Sequence, residues 1–385
     1  MTAARAPLHA VVLAGGAGER FWPASRRRYP KPFLRVVGGR TLLDATLARA
    51  RRCAGRDRVW IVCGKEHAEA IRAESGLPSG RILVEPERRN TAMAVAWAAL
   101  RIAAEEPDAV MAVLSADHHI PDVTAFARAI RRSAAAAARA GVLVTLGVQP
   151  TRPDTGYGYI QMAGPIGRAH PGLHGVARFV EKPDATRARR YVARSDYLWN
   201  AGVFVWSVAV LLAEIERWAP PLHRALAPLR AKPRGRNQKA IAETYSRAPS
   251  LPIDVAVMEK SDRVWTIPVD FSWSDVGTWD SLAEELGVGE PAPAGMRSVK
   301  GRRVEPTGKA AGDADGNRVV AGDVLIEDAR ANLVWGGDRL IALLGVDDLA
   351  VIDTDDVILV TKLNGRSDVR KLVAALKSSR RDELT

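Results

Sequence analysis

Residues 10–33 read AVVLAGGAGERFWPASRRRYPKPF, an aliphatic run that breaks into a glycine-rich loop and then a basic, proline-punctuated segment. Ala10 to Ala14 has the composition of a buried strand, and the loop behind it indicates what the strand presents at its end. Gly15, Gly16 and Gly18 carry no Cβ, so backbone N–H groups can converge closely on an anion and the loop can wrap phosphates. Two familiar phosphate loops are excluded by spacing. GxxxxGK[ST] is missing, and Phe21 stands where GxGxxG needs its third glycine. Arg20 and Lys31 then add fixed positive charge, one as a planar fork and the other as a point charge.

Outward from this loop, residues 10 to about 148 alternate short aliphatic runs with long Ala/Arg-rich segments of helical spacing, the βαβ pattern of a mostly parallel sheet. The pattern predicts strands over 10–14, 59–64, 82–85, 109–115 and 142–148. Asn90 precedes a helical run to Glu106 and can cap it, its side-chain oxygen accepting an orphan N–H of the first turn. A further helix is predicted over 124–140. From 150 to about 285 the order is looser: 157–161 and 176–180 read as strands and 207–218 as an amphipathic helix, a lid or substrate-binding elaboration of the same sheet. Pro291, Pro293 and Gly295 mark a linker. Beyond it, 318–362 shows short aliphatic runs between Gly and Asp turns, a small β domain with a hint of a solenoid, and 368–379 closes as a helix. The expected architecture is a doubly wound, Rossmann-like mixed α/β sheet in a catalytic domain over 1–288, followed by a C-terminal β domain over 289–385.

The chain has 385 residues, 47% hydrophobic and 26% charged, which excludes wholesale disorder and predicts two to three domains. The longest nearly apolar stretch, 201–213, is shorter than the ~20 residues a bilayer requires. With no signal-peptide pattern at the start, a cytoplasmic protein is expected. Cys53 and Cys63 match neither a disulfide framework nor a zinc knuckle and read as inert core thiols. A net charge of +12 attracts polyphosphates, nucleic acid or anionic lipid. The basic residues are scattered, however, in clusters such as Arg26 to Arg28, with no aromatic-studded ribbon, so neither a nucleic-acid nor a membrane partner is expected.

Asp117 ends a buried strand, at the carboxyl edge where open α/β sheets place ligand-binding groups, though taken alone it, like Asp275, reads more readily as a turn residue or helix cap. Asp275 lies within WSDVG. Two carboxylates are enough to hold magnesium beside substrate phosphates. His118 and His119 are unsuited to it, because magnesium prefers oxygen. Asp313/Asp315 and Asp353/Asp355 match the letters DxD but fall in the C-terminal region and read as turn residues. Tyr157, Tyr159, Trp199, Phe204 and Trp206 are assigned to packing.

The segment LAGGAGERFWP with PKPF resembles the signature of the sugar-phosphate nucleotidyltransferases, in particular the guanylyltransferases that form GDP-mannose. Further blocks follow in family order: EPERRNTA at 85–92, SADHHI at 115–120, TRPDTGYGYI at 151–160, FVEKP at 179–183, LWNAGVFVW at 198–206, IDVAVMEK at 253–260 and FSWSDVGTW at 271–279. The family's usual PKQF reads PKPF here, with Pro32 in the place of Gln.

The resemblance implies a nucleotidyltransferase fold whose C-terminal part is a left-handed parallel β-helix that mediates assembly, and hence a homodimer. It implies that Leu13, Ala14, Gly15, Gly16, Gly18, Glu19, Arg20, Lys31, Glu85, Asn90, Thr91 and Asp117 bind the nucleotide. Gly158, Glu181, Lys182 and Asn200 would bind the sugar phosphate. Asp117 and Asp275 would share one Mg2+, and Arg20 and Lys31 would join them as the catalytic set. The reaction implied is attack of α-D-mannose 1-phosphate on GTP. Because it forces two anions together, its catalysis should consist of positioning and charge neutralisation with no covalent enzyme intermediate. An end at residue 385 leaves no room for the isomerase domain of some longer relatives, so a single activity is expected. Three alternatives stay open: another sugar 1-phosphate or base, a non-catalytic subunit that senses nucleotide sugars, and a nucleic-acid-binding protein.

Overall fold

The computed structural model describes residues 6–16, 18–27, 29–35, 39–231, 238–299, 303–305, 310–363 and 368–385; Arg28 of the basic cluster lies outside them. Two compact units result, each discontinuous in sequence. The first comprises Met1–Gly15, Thr46–Ala116 and Ile120–Trp273, and the second Gly16–Ala45, Asp117–His119 and Ser274–Thr385.

The first unit is built on nine strands: β1 (Leu8–Ala14), β2 (Val59–Gly64), β3 (Ile82–Glu85), β4 (Val110–Ser115), β5 (Leu143–Val148), β6 (Tyr159–Pro165), β7 (His174–Val180), β8 (Tyr197–Ser207) and β9 (Val264–Val269). They lie in the order β3-β2-β1-β4-β8-β5-β9-β7-β6. β1 pairs in parallel with both β2 and β4, and β2 with β3, so these strands end at one carboxyl edge. Every residue of β2 is buried, which is why its sequence VWIVCG is apolar throughout instead of alternating. Helix α1 spans Leu42–Ala54, α2 Ala68–Ser75, α3 Asn90–Glu105 and α4 Val123–Ala140. Every residue of α3 from Ala92 to Ile102 is buried, so it is a core helix with no solvent stripe. Asp122 starts α4 by accepting the Thr124 and Ala125 N–H groups, and Gly141 at φ 62 ends it.

The five strands predicted up to residue 148 are present within two residues of the expected ends. Beyond them the structure differs, and among the differences is β9, which the sequence pattern does not predict. The predicted strand at 157–161 begins at Tyr159, because Tyr157 and Gly158 belong to the loop before it. β8 adds an eleven-residue strand inserted antiparallel between β4 and β5, which makes the sheet mixed. Cys63 is buried and Cys53 half-buried, and burial pushes both thiols up to about 12, out of reactive range at neutral pH.

The second unit carries β10 (Ala311–Gly312), β11 (Arg318–Glu327), β12 (Leu333–Leu344), β13 (Leu349–Asp353) and β14 (Ile358–Lys362) in that spatial order. β11, β12 and β13 pair in parallel, while the flanking pairs are antiparallel. A buried asparagine ladder binds successive turns. Asn332 Nδ2 donates to Asn317 Oδ1 (2.9 Å) and to the Val346 carbonyl (2.9 Å), and its Oδ1 accepts the Leu349 N–H (3.0 Å). The two DxD pairs are local structure. Asp313 Oδ1 accepts the Asp315 and Asn317 N–H groups, and Asp353 ends β13 in an ion pair with Arg339. Phe21, Trp22, Leu34, Val276, Trp279, Val320, Leu333 and Ile352 share one core in this unit. Among the described residues no helix is long and apolar enough to cross a membrane.

Candidate active site

The second unit gathers a charged cluster from three segments. Gly18 takes φ 66, and a Cβ there would stand 2.5 Å from Ser25 Oγ and 2.6 Å from Lys31 Cβ, so glycine is required for both conformation and space. Lys31 opens a 3-10 turn over Lys31–Phe33 behind Pro30. Pro32 fits this turn without loss, because a first-turn residue has no intrahelical use for its N–H. Lys31 is only 6% exposed, and its Nζ donates to Asp117 Oδ2 (2.7 Å) and to the Asp275 carbonyl (2.6 Å).

What brings the two aspartates to one lysine is a backbone bridge. His119 N–H donates to the Ser274 carbonyl (2.8 Å), and Ser274 N–H donates back (3.0 Å). The next residue but one, Val276, sits at φ 43, a left-handed conformation that costs a β-branched residue ~1–3 kcal/mol. Its complete burial and a hydrogen bond to Ser274 Oγ (3.0 Å) hold it there. Gly277 is equally constrained, since a Cβ would meet Asp275 Oδ2 at 2.7 Å. Burial pushes the Asp117 carboxyl up, but the Lys31 ammonium, His118 and the Lys31 hydrogen bond outweigh it and hold it down at about 2. His119 pairs with Glu285 (3.1 Å). Glu19 is engaged by Lys377 (2.8 Å), and Arg20 is exposed with no ion pair to another described residue.

The donor set suits a hard cation. Among the described residues no group of three or more His, Cys, Asp or Glu could hold a metal, whereas magnesium usually takes one or two carboxylates and completes its shell with water and substrate phosphate. The Asp117 carboxylate and the Asp275 carbonyl, the groups brought together at Lys31, are oxygen donors of the kind such a cation takes.

The first unit carries two further clusters. At the end of β3, Glu85 is buried and Tyr245, from the helix Gln238–Arg247, donates its hydroxyl to Glu85 Oε1 (3.0 Å). Burial raises the Glu85 carboxyl to about 7 against the opposing pull of that hydrogen bond. Gly15 faces it, its Cβ position 3.6 Å from Glu85 Oε2. Leu13 and Ala14 end β1, and the Leu13 carbonyl accepts the Ala116 N–H (3.0 Å). Asn90 is itself the first residue of α3, at φ 62, and its Oδ1 accepts only the adjacent Thr91 N–H (2.8 Å); Arg89 stands at the cap with no side-chain bond, so the capping expected of Asn90 is not found. Thr91 Oγ1 accepts the Ile253 N–H (2.8 Å). Gly16 is exposed, with nothing within 4 Å of a Cβ there.

The other cluster joins Gly158, Glu181, Lys182 and Asn200. Asn200 N–H donates to the Gly158 carbonyl (2.8 Å), and Glu181 Oε2 occupies the space a Gly158 Cβ would need, 2.6 Å away. Lys182, at φ 47 ahead of Pro183, turns its ammonium onto Glu181 Oε1 (2.5 Å). A β-bulge aims Asn200: Gly202 adopts φ 62 and returns its N–H to Asn200 Oδ1 (3.1 Å). Thr145 Oγ1 donates to the same oxygen (3.0 Å), and Asn200 Nδ2 donates to Asp254 Oδ1 (2.9 Å).

The family described as nucleotidyl transferase matches residues 9–287. The alginate biosynthesis protein AlgA of Pseudomonas aeruginosa is 36% identical over 378 residues, 97% of this chain and 73% of its own. The chain belongs to the nucleotidyl transferase family. A protein of Escherichia coli named mannose-1-phosphate guanylyltransferase is likewise 36% identical over 379 residues, 97% of this chain and 74% of the relative. A solved structure from Thermus thermophilus, of a protein named mannose-1-phosphate geranyltransferase, superposes with a TM-score of 0.81 at 32% identity, covering 96% of this chain and 99% of that one. Residues 322–376 match the MannoseP isomerase/GMP-like beta-helix domain, so this nucleotidyl transferase ends in a β-helix-like domain. Members of the family usually use a divalent metal.

Three polar residues beside these clusters escape the sequence reading. Asp254 and Glu259 lie within the block IDVAVMEK, whose letters were informative but whose contacts were not, and Glu259 Oε1 accepts the Glu181 N–H (2.9 Å). Tyr245 has no sequence signal at all, since its partner is 160 positions away.

Proposed function

We propose that this nucleotidyl transferase is a cytoplasmic, magnesium-dependent enzyme that converts GTP and α-D-mannose 1-phosphate to GDP-mannose and pyrophosphate. The observation that carries the reading is the convergence of Asp117 Oδ2 and the Asp275 carbonyl on the buried Lys31 ammonium, at 2.7 and 2.6 Å. Such a centre is built to manage phosphoryl charge. The relatives' names supply the base and the sugar.

In this reading the loop Gly15 to Gly18, with Arg20 and Lys31, receives the triphosphate, and Glu85, held by Tyr245, accepts hydrogen bonds from the guanine edge. Leu13, Ala14, Glu19, Asn90 and Thr91 complete the nucleotide's surroundings. Glu181 and Asn200 take the sugar hydroxyls, Gly158 leaves room for them, and Lys182 holds the sugar's phosphate. Asp117 and Asp275 hold the Mg2+, which when bound supplies Lewis-acid neutralisation of phosphoryl charge. A phosphate oxygen of the sugar bonds to the α-phosphorus while the bond from that phosphorus to the bridging oxygen breaks, and pyrophosphate leaves in line. The chain's own contribution is orientation and fixed positive charge. Residues 1–288 carry this chemistry. Residues 289–385 serve assembly as a homodimer, a role supported by exposed Leu325, Leu340 and Leu344 on β11 and β12.

A pyrophosphate-release assay crossing four nucleoside triphosphates with mannose, glucose and heptose 1-phosphates tests the reading. Turnover should require GTP, mannose 1-phosphate and a divalent ion. A preference for UTP overturns the base assignment, and GTP binding without turnover on any sugar phosphate returns the protein to a sensing role.

A further inference from the structure

Asn200 has a fixed amide orientation, because its Oδ1 is already engaged by the Thr145 hydroxyl and the Gly202 N–H. Its NH2 group therefore faces Asp254 Oδ1 at 2.9 Å. Asp254 in turn is set rigidly. It opens a π-helical turn over Asp254–Met258, a wide form of helix that recurs at functional positions, and Ala256, Val257 and Met258 of that turn are buried in the core. Thr91 Oγ1 fixes the preceding Ile253 N–H (2.8 Å), and the Ala92 N–H fixes the Leu251 carbonyl (3.1 Å).

Around this carboxylate the acceptors outnumber the donors. Glu181 brings a second carboxylate, while the cation beside it, Lys182, is held by Glu181 Oε1. An ionised carboxylate has about four acceptor sites, of which the Asn200 amide and the residue's own backbone N–H use two. A polyol supplies the missing donors, since each hydroxyl can give its proton to a carboxylate and accept one from an amide. Burial first, and then the charge of Glu181, raise the Asp254 carboxyl to about 7, consistent with a group that lacks donors until a ligand brings them.

We infer that Asp254 binds a hydroxyl of the hexose directly, beside Glu181 and Asn200, and thereby helps decide which sugar 1-phosphate the enzyme accepts. This role rests on the functional reading above and adds a residue to it.

The test is Asp254→Asn, which keeps size and shape, assayed with mannose 1-phosphate and its 2-, 3-, 4- and 6-deoxy analogues at saturating GTP. For the parent sugar, kcat/KM should fall about 10- to 100-fold, the size expected for losing a hydrogen bond to a charged group, while KM for GTP stays unchanged. With one deoxy analogue the ratio of wild type to variant should collapse towards unity, because the bond is absent from both sides of the comparison. Equal ratios across all analogues, in an active wild type, overturn direct contact. A wild type with no turnover of mannose 1-phosphate overturns the functional reading instead. Should Asp254→Asn lower the melting temperature, Asp254→Ser is put through the same series and read by the same criterion.

Discussion

A single methyl group at position 158 separates the work proposed for the cluster of Gly158, Glu181 and Asn200 from the stability of the sheet. In Gly158→Ala the new Cβ would stand 2.6 Å from Glu181 Oε2, where ordinary contact begins near 3.4 Å, so that oxygen must retreat by about 0.8 Å. Gly158 has no left-handed φ, so alanine fits its backbone, and the group that must move is the free end of a flexible side chain. An altered Glu181 rotamer costs about 0.5–1.5 kcal/mol, offset by the ~0.4–1 kcal/mol that alanine removes from the unfolded chain's entropy. Stability should therefore change by less than about 1 kcal/mol. Catalysis is far less forgiving, because a misplacement near 1 Å can cost about 100-fold.

The expected result is a 10- to 100-fold loss, roughly, in kcat/KM for mannose 1-phosphate with KM for GTP preserved, read by pyrophosphate release. Two controls sharpen it. Gly147→Ala in β5 places a Cβ 2.4 Å from Leu198 Cδ1 and 2.9 Å from Leu198 Cβ, inside the core, so it should lose about 1–3 kcal/mol in urea unfolding. In a Glu181→Ala background the colliding oxygen is gone, and Gly158→Ala should then have no further effect on turnover. Wild-type sugar kinetics in Gly158→Ala, or an undiminished effect without Glu181, would refute the steric reasoning.

Three other outcomes follow from the same contacts. Glu85 is raised from its ordinary 4.5 to about 7, so its contribution to stability is fully present below about pH 4.5 and is lost as pH rises through 7. Glu85→Gln, which has no charge to bury, should exceed wild type by up to about 3 kcal/mol in urea unfolding at pH 8 and match it at pH 4.5; equal curves at pH 8 would count against the raised carboxyl. Asp117 is depressed from 3.8 to about 2, so its pairing stabilises the fold above pH 4 and fades as pH falls through 2. Lys31→Met should lose about 1–2 kcal/mol at pH 7, a figure discounted because the Asp117 side chain is 32% exposed, and the deficit should narrow on acidification; a pH-independent deficit would point to packing alone. Asn332→Ala removes three side-chain hydrogen bonds from the buried ladder and should cost about 2–4 kcal/mol, seen as a lower thermal midpoint, and an unchanged midpoint would show that the ladder adds nothing.

What was legible in the sequence was chemistry that dictates a residue type at its own position. β1 and β2 announce themselves because strands buried on both faces must be almost wholly apolar, and Gly18 because φ 66 with two side chains against it calls for a residue without a Cβ. β8 is hidden because its apolar run continues, with only Ser207 between, into the helix Val208–Trp218, and periodicity cannot divide a buried strand from a buried helix. The β-helix-like repeat was faint for a related reason, since one asparagine per turn, at 317 and 332, holds it where an aliphatic period was sought. The site divides along the same line. Lys31, Asp117 and Asp275 are named by residue type and motif, yet their meeting depends on the backbone bridge of His119 with Ser274, to which no side chain contributes.

Asp254 and Tyr245 lie further still from the reach of pattern. Each is chosen by a partner, 54 and 160 positions away respectively, and each would be an ordinary surface acid or core aromatic without it. Residues that touch substrate are constrained by the substrate's chemistry, and that constraint leaves a recurring local motif. Residues that hold them are constrained only by tertiary geometry, which many sequences satisfy. Asp254 stands between the two kinds, inside a motif yet defined by its contact with Asn200. Kinetics on the deoxy sugars can therefore decide on which side it belongs, because a group that merely supports Asn200 would penalise every analogue alike.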